Sequence, residues 1–127
     1  MRSINNVFLM GNLAADIDLR HTKGGTAVAT FPLATNRDWV DSEGEKKSQT
    51  DYHRIVLWQK LAEACAKHIG KGSLVHVAGR LTNRSYETEG GEKKYATEVV
   101  ANQVDFVKVK KEKGTDKIEA EEVQAAA

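Results

Sequence analysis

The sequence "TDYHRIVLWQKLAEACAKHIGKGSLVHVAGRL", residues 50–81, holds three local patterns in immediate succession. It opens with alternating side chains rich in aromatic and β-branched residues, which is typical of a strand. In the following "QKLAEACAKHI", Leu61, Cys65 and Ile69 recur every four positions, and Gly70 is a common stop signal, so a helix is predicted. A second alternating run, "SLVHVAGRL", completes a unit of strand, helix and strand.

Three more β-like runs lie outside this unit, and polar loops containing glycine join the long runs in pairs. The runs are "NNVFLMGNL" at residues 5–13, "TAVATFPLATNRDW" at 26–39 and "KKYATEVVANQVDFVKV" at 93–109. The loops "DSEGEKKSQ" and "ETEGGEK" predict two extended β-hairpins. Five strands with one helix between the third and the fourth is the order of an all-β OB-fold, a five-stranded Greek-key barrel.

Length and charge distribution predict one folded domain and a short tail. A chain of 127 residues is long enough for a single core. From residue 111 the sequence is charged and free of aromatic residues, so we predict a domain at 1–110 and a disordered tail at 111–127. The whole chain has a formal charge of +1, but the domain, with 16 basic and 13 acidic residues, carries +3. The net charge of the whole chain therefore does not indicate a polyanionic partner, and evidence for one must come from local groups of basic residues.

Cysteine content and the placement of apolar residues predict the compartment. Cys65 is the single cysteine, which excludes an intramolecular disulfide. The first residues, "MRSINNVFLMGNLAAD", are interrupted by asparagine and glycine and do not resemble a signal peptide. The sequence has no apolar run of the roughly 18 residues that a membrane span needs. We expect a cytoplasmic protein without membrane association.

The nucleophilic and metal-ligating residue types are not arranged as in an enzyme. The four histidines lack metal-ligand spacing with one another or with Cys65, and no serine lies in a nucleophile-elbow pattern. Cys65 lies on the apolar stripe of the predicted helix, where a core residue is more common than a nucleophile. The sequence therefore predicts no catalytic residue, no metal and no cofactor.

Two predicted strands each combine aromatic rings and arginines on one face. Strand alternation sets three side chains of the first opposite its apolar set: Tyr52, Arg54 and Trp58. The strand at residues 73–86 presents a similar set: Arg80, Arg84 and Tyr86. A single exposed ring is more often partly buried against a cross-strand neighbour. The combination favours single-stranded nucleic acid, because rings stack on unpaired bases and guanidinium groups bind phosphates.

Trp39 does not follow this alternation. It falls on the same side of its predicted strand as Phe31 and Leu33, which have the pattern of core residues. A bulge, or a strand leaving the barrel, would turn the ring outward, and Pro32 marks an irregularity or an edge nearby. Alternation alone therefore assigns Trp39 no surface role.

Several segments in order resemble the bacterial single-stranded DNA-binding protein family. They are "NNVFLMGNL", "LATNRDW", "QTDYHRIVLWQKLAEACAKHIGKGSLVHVAGRL" and "YATEVVANQV", and the similarity runs from Ile4 to about Val109. The resemblance implies an OB-fold that assembles as a homotetramer and wraps single-stranded DNA in replication, recombination and repair. It also implies a protein that is not an enzyme.

The resemblance assigns roles to individual residues. Four aromatic residues match the base-stacking positions of the family: Trp39, Tyr52, Trp58 and Tyr86. Four basic residues match positions near the DNA path or around the helix: Arg54, Arg84, Lys60 and Lys71. His53 matches a position at the tetramer interface. Only the local pattern of charge and rings, and not the resemblance, adds two further candidates for phosphate binding: Arg37 and Arg80.

Three departures from the family qualify these expectations. "ADIDLR" at residues 15–20 replaces an Asp-Pro segment, the chain has no long Gly- and Pro-rich linker, and the acidic tail lacks a Pro-Phe ending. We therefore expect weak recruitment of replication and repair proteins. Alternatives are a dimeric primosomal relative and a plasmid or phage version of the same binder. RNA remains an alternative ligand to DNA, because stacking on the bases does not involve the 2′-hydroxyl group that distinguishes the two.

Overall fold

The computed structural model describes residues 2–111, which form six strands and one helix. In chain order these elements are β1 Val7–Leu13, β2 Asp18–His21, β3 Ala27–Val40, β4 Lys46–Trp58, α1 Gln59–His68, β5 Leu74–Glu87 and β6 Lys93–Lys108. The strands are ordered β1-β5-β6-β4-β3-β2, and β1 also pairs with β3, so five of them close into a barrel. The predicted OB-fold is confirmed. The predicted tail beyond residue 111 lies outside the described residues.

One strand was not predicted from the sequence: β2 begins inside the segment 15–20 that departs from the family pattern and ends at His21. It pairs antiparallel with the first residues of β3, from Asp18 opposite Thr30 to His21 opposite Ala27. All four of its residues are exposed, and the strand is too short and too polar for its alternation to stand out in the sequence. β2 therefore widens one side of the barrel wall without adding to the core.

Both predicted hairpins extend beyond the barrel. The β3–β4 register is uninterrupted from Val28 opposite Trp58 to Val40 opposite Lys46, and the turn that follows contains Gly44 in the left-handed region. The β5–β6 hairpin ends in a similar turn with Gly91. In both hairpins, the residues in the barrel are largely buried and the residues near the turn are exposed. The outer halves of the hairpins are therefore uncovered on both faces.

The barrel core is made by alternate residues of the strands, with one face of α1 covering it. Fully buried strand residues include Phe31, Leu33, Ile55, Leu57, Val75, Val77 and Val104, and the helix contributes Leu61, Ala62 and Cys65. Burial raises the pKa of the Cys65 thiol to about 12, so the thiol stays protonated at neutral pH. The interpretation of Cys65 as a core residue is confirmed.

The two ends of α1 differ from the sequence prediction in detail. Trp58 precedes the helix with no side-chain cap, and Gln59 takes a left-handed φ of 57°. The helix ends at His68 and Ile69 is already extended, so Gly70 does not end it by a left-handed turn. Gly70 instead makes room for Asp16, whose Oδ1 lies 2.9 Å from where a Cβ would be.

The end of β6 is attached to the turn after the helix. The Ser73 hydroxyl donates to the carbonyl of Lys110 and accepts from its amide, both at 2.9 Å. The Lys111 ammonium donates to the carbonyls of Ala66 and Lys67 at the end of α1, both at 2.8 Å. The chain is therefore held to the domain as far as Lys111.

Candidate nucleic-acid interface

A groove of about 550 Å³ lies on the barrel wall where β2, β3, β4, β5 and β6 contribute side chains. Its lining consists of Asp18, Arg20, Val28, Thr30, Arg54, Val56, Trp58, Arg84 and Glu98. Three of the predicted site residues meet here although β4 and β5 are not neighbours in the sheet: Arg54, Trp58 and Arg84.

The aromatic residues of β4 lie opposite smaller residues of β3. Tyr52 lies opposite Ala34 and Trp58 opposite Val28 in the β3–β4 pairing. Tyr52 is 67% exposed and Trp58 is 44% exposed. Tyr52 is therefore mostly open to solvent, whereas Trp58 is partly buried and keeps a smaller part of its surface open.

Two arginines of the groove share one buried carboxylate. Arg54 Nε donates to Glu98 Oε2 at 2.8 Å, and Arg84 Nη2 donates to the same oxygen at 2.9 Å. The Glu98 side chain is only 9% exposed, whereas about half of each guanidinium-bearing side chain is open. Burial by itself would raise the pKa of Glu98, but the hydrogen bonds from Arg84 and Arg54 outweigh it and lower that pKa. Glu98 is therefore ionised at neutral pH.

Each hairpin places an arginine over an aromatic ring. The Arg84 guanidinium lies 5.9 Å from the centre of the Tyr86 ring, and Arg37 lies 5.5 Å from that of Trp39. Arg37 Nε also donates to Asp51 Oδ2 at 2.8 Å, and this hydrogen bond lowers the pKa of Asp51. Both contacts have the distance of a cation–π interaction, which orients the ring and keeps positive charge beside it.

Trp39 lies on the opposite face of its hairpin from Tyr52. Because the β3–β4 register has no bulge, its side chain keeps the parity of Phe31 and Leu33. It is nevertheless 41% exposed, since the ribbon has left the barrel at that point. Of the two explanations that the sequence allowed, the departing strand is the one observed. Trp39 and Arg37 thus form a second surface, away from the groove.

The remaining predicted residues are dispersed around the barrel. Lys60 lies in the first turn of α1, Lys71 in the turn after the helix, and Arg80 on β5. All three are exposed, and none lines the groove. His53 is half-buried where the β3–β4 hairpin leaves the barrel, with Nε2 2.9 Å from Thr35 Oγ1.

Comparison with known proteins identifies the family. The single-strand binding protein family matches residues 4–107. The chain belongs to this family. Single-stranded DNA-binding proteins of Bacillus cereus and Chlorobaculum tepidum are 46% identical over 104 residues and 41% identical over 110 residues. These matches cover 82% and 86% of this chain and 60% and 68% of the relatives, so the chain spans about 60% of the Bacillus protein's length.

Two solved structures of single-strand binding proteins have the same fold. A Plasmodium falciparum SSB in complex with single-stranded DNA is 36% identical, has a TM-score of 0.77, and matches 87% of this chain and 98% of that one. A deletion mutant of the Thermus aquaticus protein is 35% identical, has a TM-score of 0.74, and matches 83% and 51% of the two chains. The curated relatives of the family bear the names of binding proteins, not of enzymes.

Sequence reasoning missed three features of this single-strand binding domain. Glu98 is the first, and its signal was an acidic residue directly before the apolar pair of "TEVV". Asp18 and Arg20 line the groove because the segment 15–20 contains a strand, which the sequence pattern did not indicate. Tyr95 is 72% exposed on β6, paired with Ser85 and hence on the hairpin face opposite Tyr86.

The described part of the chain has neither a membrane-spanning helix nor a metal-binding cluster. Its single helix is neither long nor apolar enough to cross a membrane. Residues 2–111 contain no cluster of three or more His, Cys, Asp and Glu that could hold a metal ion. The functional groups of the groove are aromatic ring faces, guanidinium groups and carboxylates.

Proposed function

We propose that this protein binds single-stranded DNA without sequence preference. The observation that carries the proposal is the open ring of Trp58 in one groove with the guanidinium groups of Arg54 and Arg84. Bases stack on a ring whatever their identity, and guanidinium groups bind phosphates, so the groove suits a strand whose bases are unpaired. In a duplex the base faces are already stacked on each other.

The other candidate residues extend this path. Tyr52 precedes the groove on the same face of β4, and Tyr86 follows Arg84 along the β5–β6 hairpin. On the second surface, Trp39 and Arg37 offer another ring with adjacent charge. Three exposed cations contribute mainly to long-range attraction of the phosphates: Lys60, Lys71 and Arg80.

The proposed cellular role is protection of single strands in replication, recombination and repair. It is supported by membership of the family, and we propose a cytoplasmic location for the protein on the same ground.

The test is fluorescence anisotropy of labelled oligonucleotides at several salt concentrations. We expect the protein to bind single strands of different base composition with similar affinity and a duplex of the same length far more weakly. Affinity should fall as salt rises, because cations on the phosphates are released on binding. Equal binding of duplex and single strand would contradict the proposal.

We propose further that the protein assembles as a homotetramer around which DNA wraps. His53 supports this, because it is half-buried and lies on the same strand parity as Ile55 and Leu57, where the β3–β4 hairpin leaves the barrel. Light scattering at micromolar concentration should give a mass of about four chains. A stable monomer would contradict the assembly, and a dimer would favour the primosomal alternative.

A further inference from the structure

The charge of the groove is lower than its arginines suggest. Arg20 Nε lies 3.2 Å from both carboxylate oxygens of Asp18, so these two lining residues neutralise each other. The two remaining arginines share Glu98, which balances one of their two positive charges. The lining as a whole therefore has three arginines and two carboxylates, and one unit of positive charge remains for a ligand.

The shared carboxylate also fixes where the two arginines lie. Both donor nitrogens bind the same atom, Glu98 Oε2, so they are separated by no more than two hydrogen-bond lengths. Two guanidinium groups at that separation repel each other unless an anion lies between them. Glu98 is well placed for this role, since its strand β6 lies between β4 and β5, which carry the arginines.

We propose that Glu98 is a positioning residue that holds Arg54 and Arg84 together as one phosphate-binding pair and sets the net charge of that pair to one. The inference rests on the proposed function, because it concerns how the groove meets a DNA phosphate. Each guanidinium group donates one N–H group to Glu98. A guanidinium has five N–H donors, so further N–H groups can donate to a ligand. A phosphate over the groove can accept hydrogen bonds from both arginines while Glu98 holds them from below.

The proposal predicts how the salt dependence of binding changes with charge. For single strands, the slope of log K against log salt changes by about 0.7 for each phosphate charge neutralised. Glu98→Gln keeps the shape and an oxygen acceptor but removes the balancing charge, so we expect the slope to steepen by about 0.7. Arg54→Ala leaves Glu98 paired with Arg84 and should flatten the slope by about the same amount.

The double variant Arg54→Ala/Glu98→Gln separates charge balance from a structural role. It has one arginine and no carboxylate, so its net charge equals that of the parent, and its slope should return to the parental value. The step from Arg54→Ala to the double variant is also a second measure of the Glu98 charge, which stays available if Glu98→Gln alone folds poorly. Glu63→Gln, an exposed glutamate on α1, is the matched control and should leave the slope unchanged.

The anisotropy titrations test the role of Glu98 separately from single-strand binding itself. The role of Glu98 would be overturned if Glu98→Gln kept the parental slope, or if the slope of the double variant did not return to the parental value. In either case, binding of single strands by the parent protein would still support the proposed function. An equal change in Glu63→Gln would also overturn the role of Glu98, since net charge alone would then explain the effect. Absence of single-strand binding by the parent would refute the proposed function itself.

Discussion

Replacing Trp58 by alanine is expected to weaken binding of single-stranded DNA by about 1–3 kcal/mol for each stacked base lost, which is roughly 5- to 150-fold. The indole is 44% exposed in the groove, beside the arginine pair held by Glu98, so its loss removes the ring face on which a base would lie. The loss should be similar for oligonucleotides of different composition, because every base has a ring face. Anisotropy titration at one salt concentration measures it.

The conservative replacement Trp58→Phe is the control. It keeps a stacking ring at the same place in β4 and should retain most of the affinity. Trp58 also precedes the helix, so circular dichroism must show that both variants fold. Parental affinity in folded Trp58→Ala would mean that the ring does not stack on DNA.

Replacing Gly79 by alanine is expected to lower the free energy of unfolding by about 3 kcal/mol or more. A Cβ at this position would lie 2.2 Å from the carbonyl oxygen of Val100 and 2.8 Å from Cα of Ala101. Both atoms belong to the backbone of β6, beside the irregularity in register between Ala78 and Gly79, so they cannot move without disturbing the β5–β6 pairing. Thermal unfolding should show a Tm lower by about 10 °C or more.

Gly24→Ala is the matched control for this backbone effect. Gly24 lies in the turn between β2 and β3, and a Cβ there has no atom within 4 Å. Its replacement should change the free energy of unfolding by no more than about 0.5 kcal/mol. Equal stability of Gly79→Ala and Gly24→Ala would show that β6 yields easily and that the close approach does not constrain the sheet.

The barrel and its helix could be predicted from sequence because their signals are local. Alternation at residues 50–58 and 73–86 reports the burial of one strand face, and the four-residue spacing of Leu61, Cys65 and Ile69 reports the buried stripe of α1. β2 gave no such signal, since none of its residues is buried. β2 is a short edge strand that is defined by its backbone hydrogen bonds to β3. Its side-chain pattern contains no signal of that pairing.

The groove could be predicted only in part, because its charge depends on residues distant in sequence. Tyr52, Arg54 and Trp58 share a face by alternation alone, and the uninterrupted β3–β4 register keeps them on it. The contact of Arg54 with Glu98 joins positions 44 residues apart. Neither residue indicates the other in the sequence, so the sequence does not show that Glu98 balances one of the two positive charges of Arg54 and Arg84.

The measurement that most directly tests whether unpaired bases stack in the groove is the tryptophan emission of a Trp39→Phe variant. The chain has two tryptophans, so in this variant Trp58 is the only one left to report. Addition of single-stranded DNA should quench its emission in proportion to the fraction bound, whereas a duplex of the same length should quench it far less. Binding of single strands with unchanged Trp58 emission would contradict stacking in the groove and would place the DNA elsewhere on the barrel.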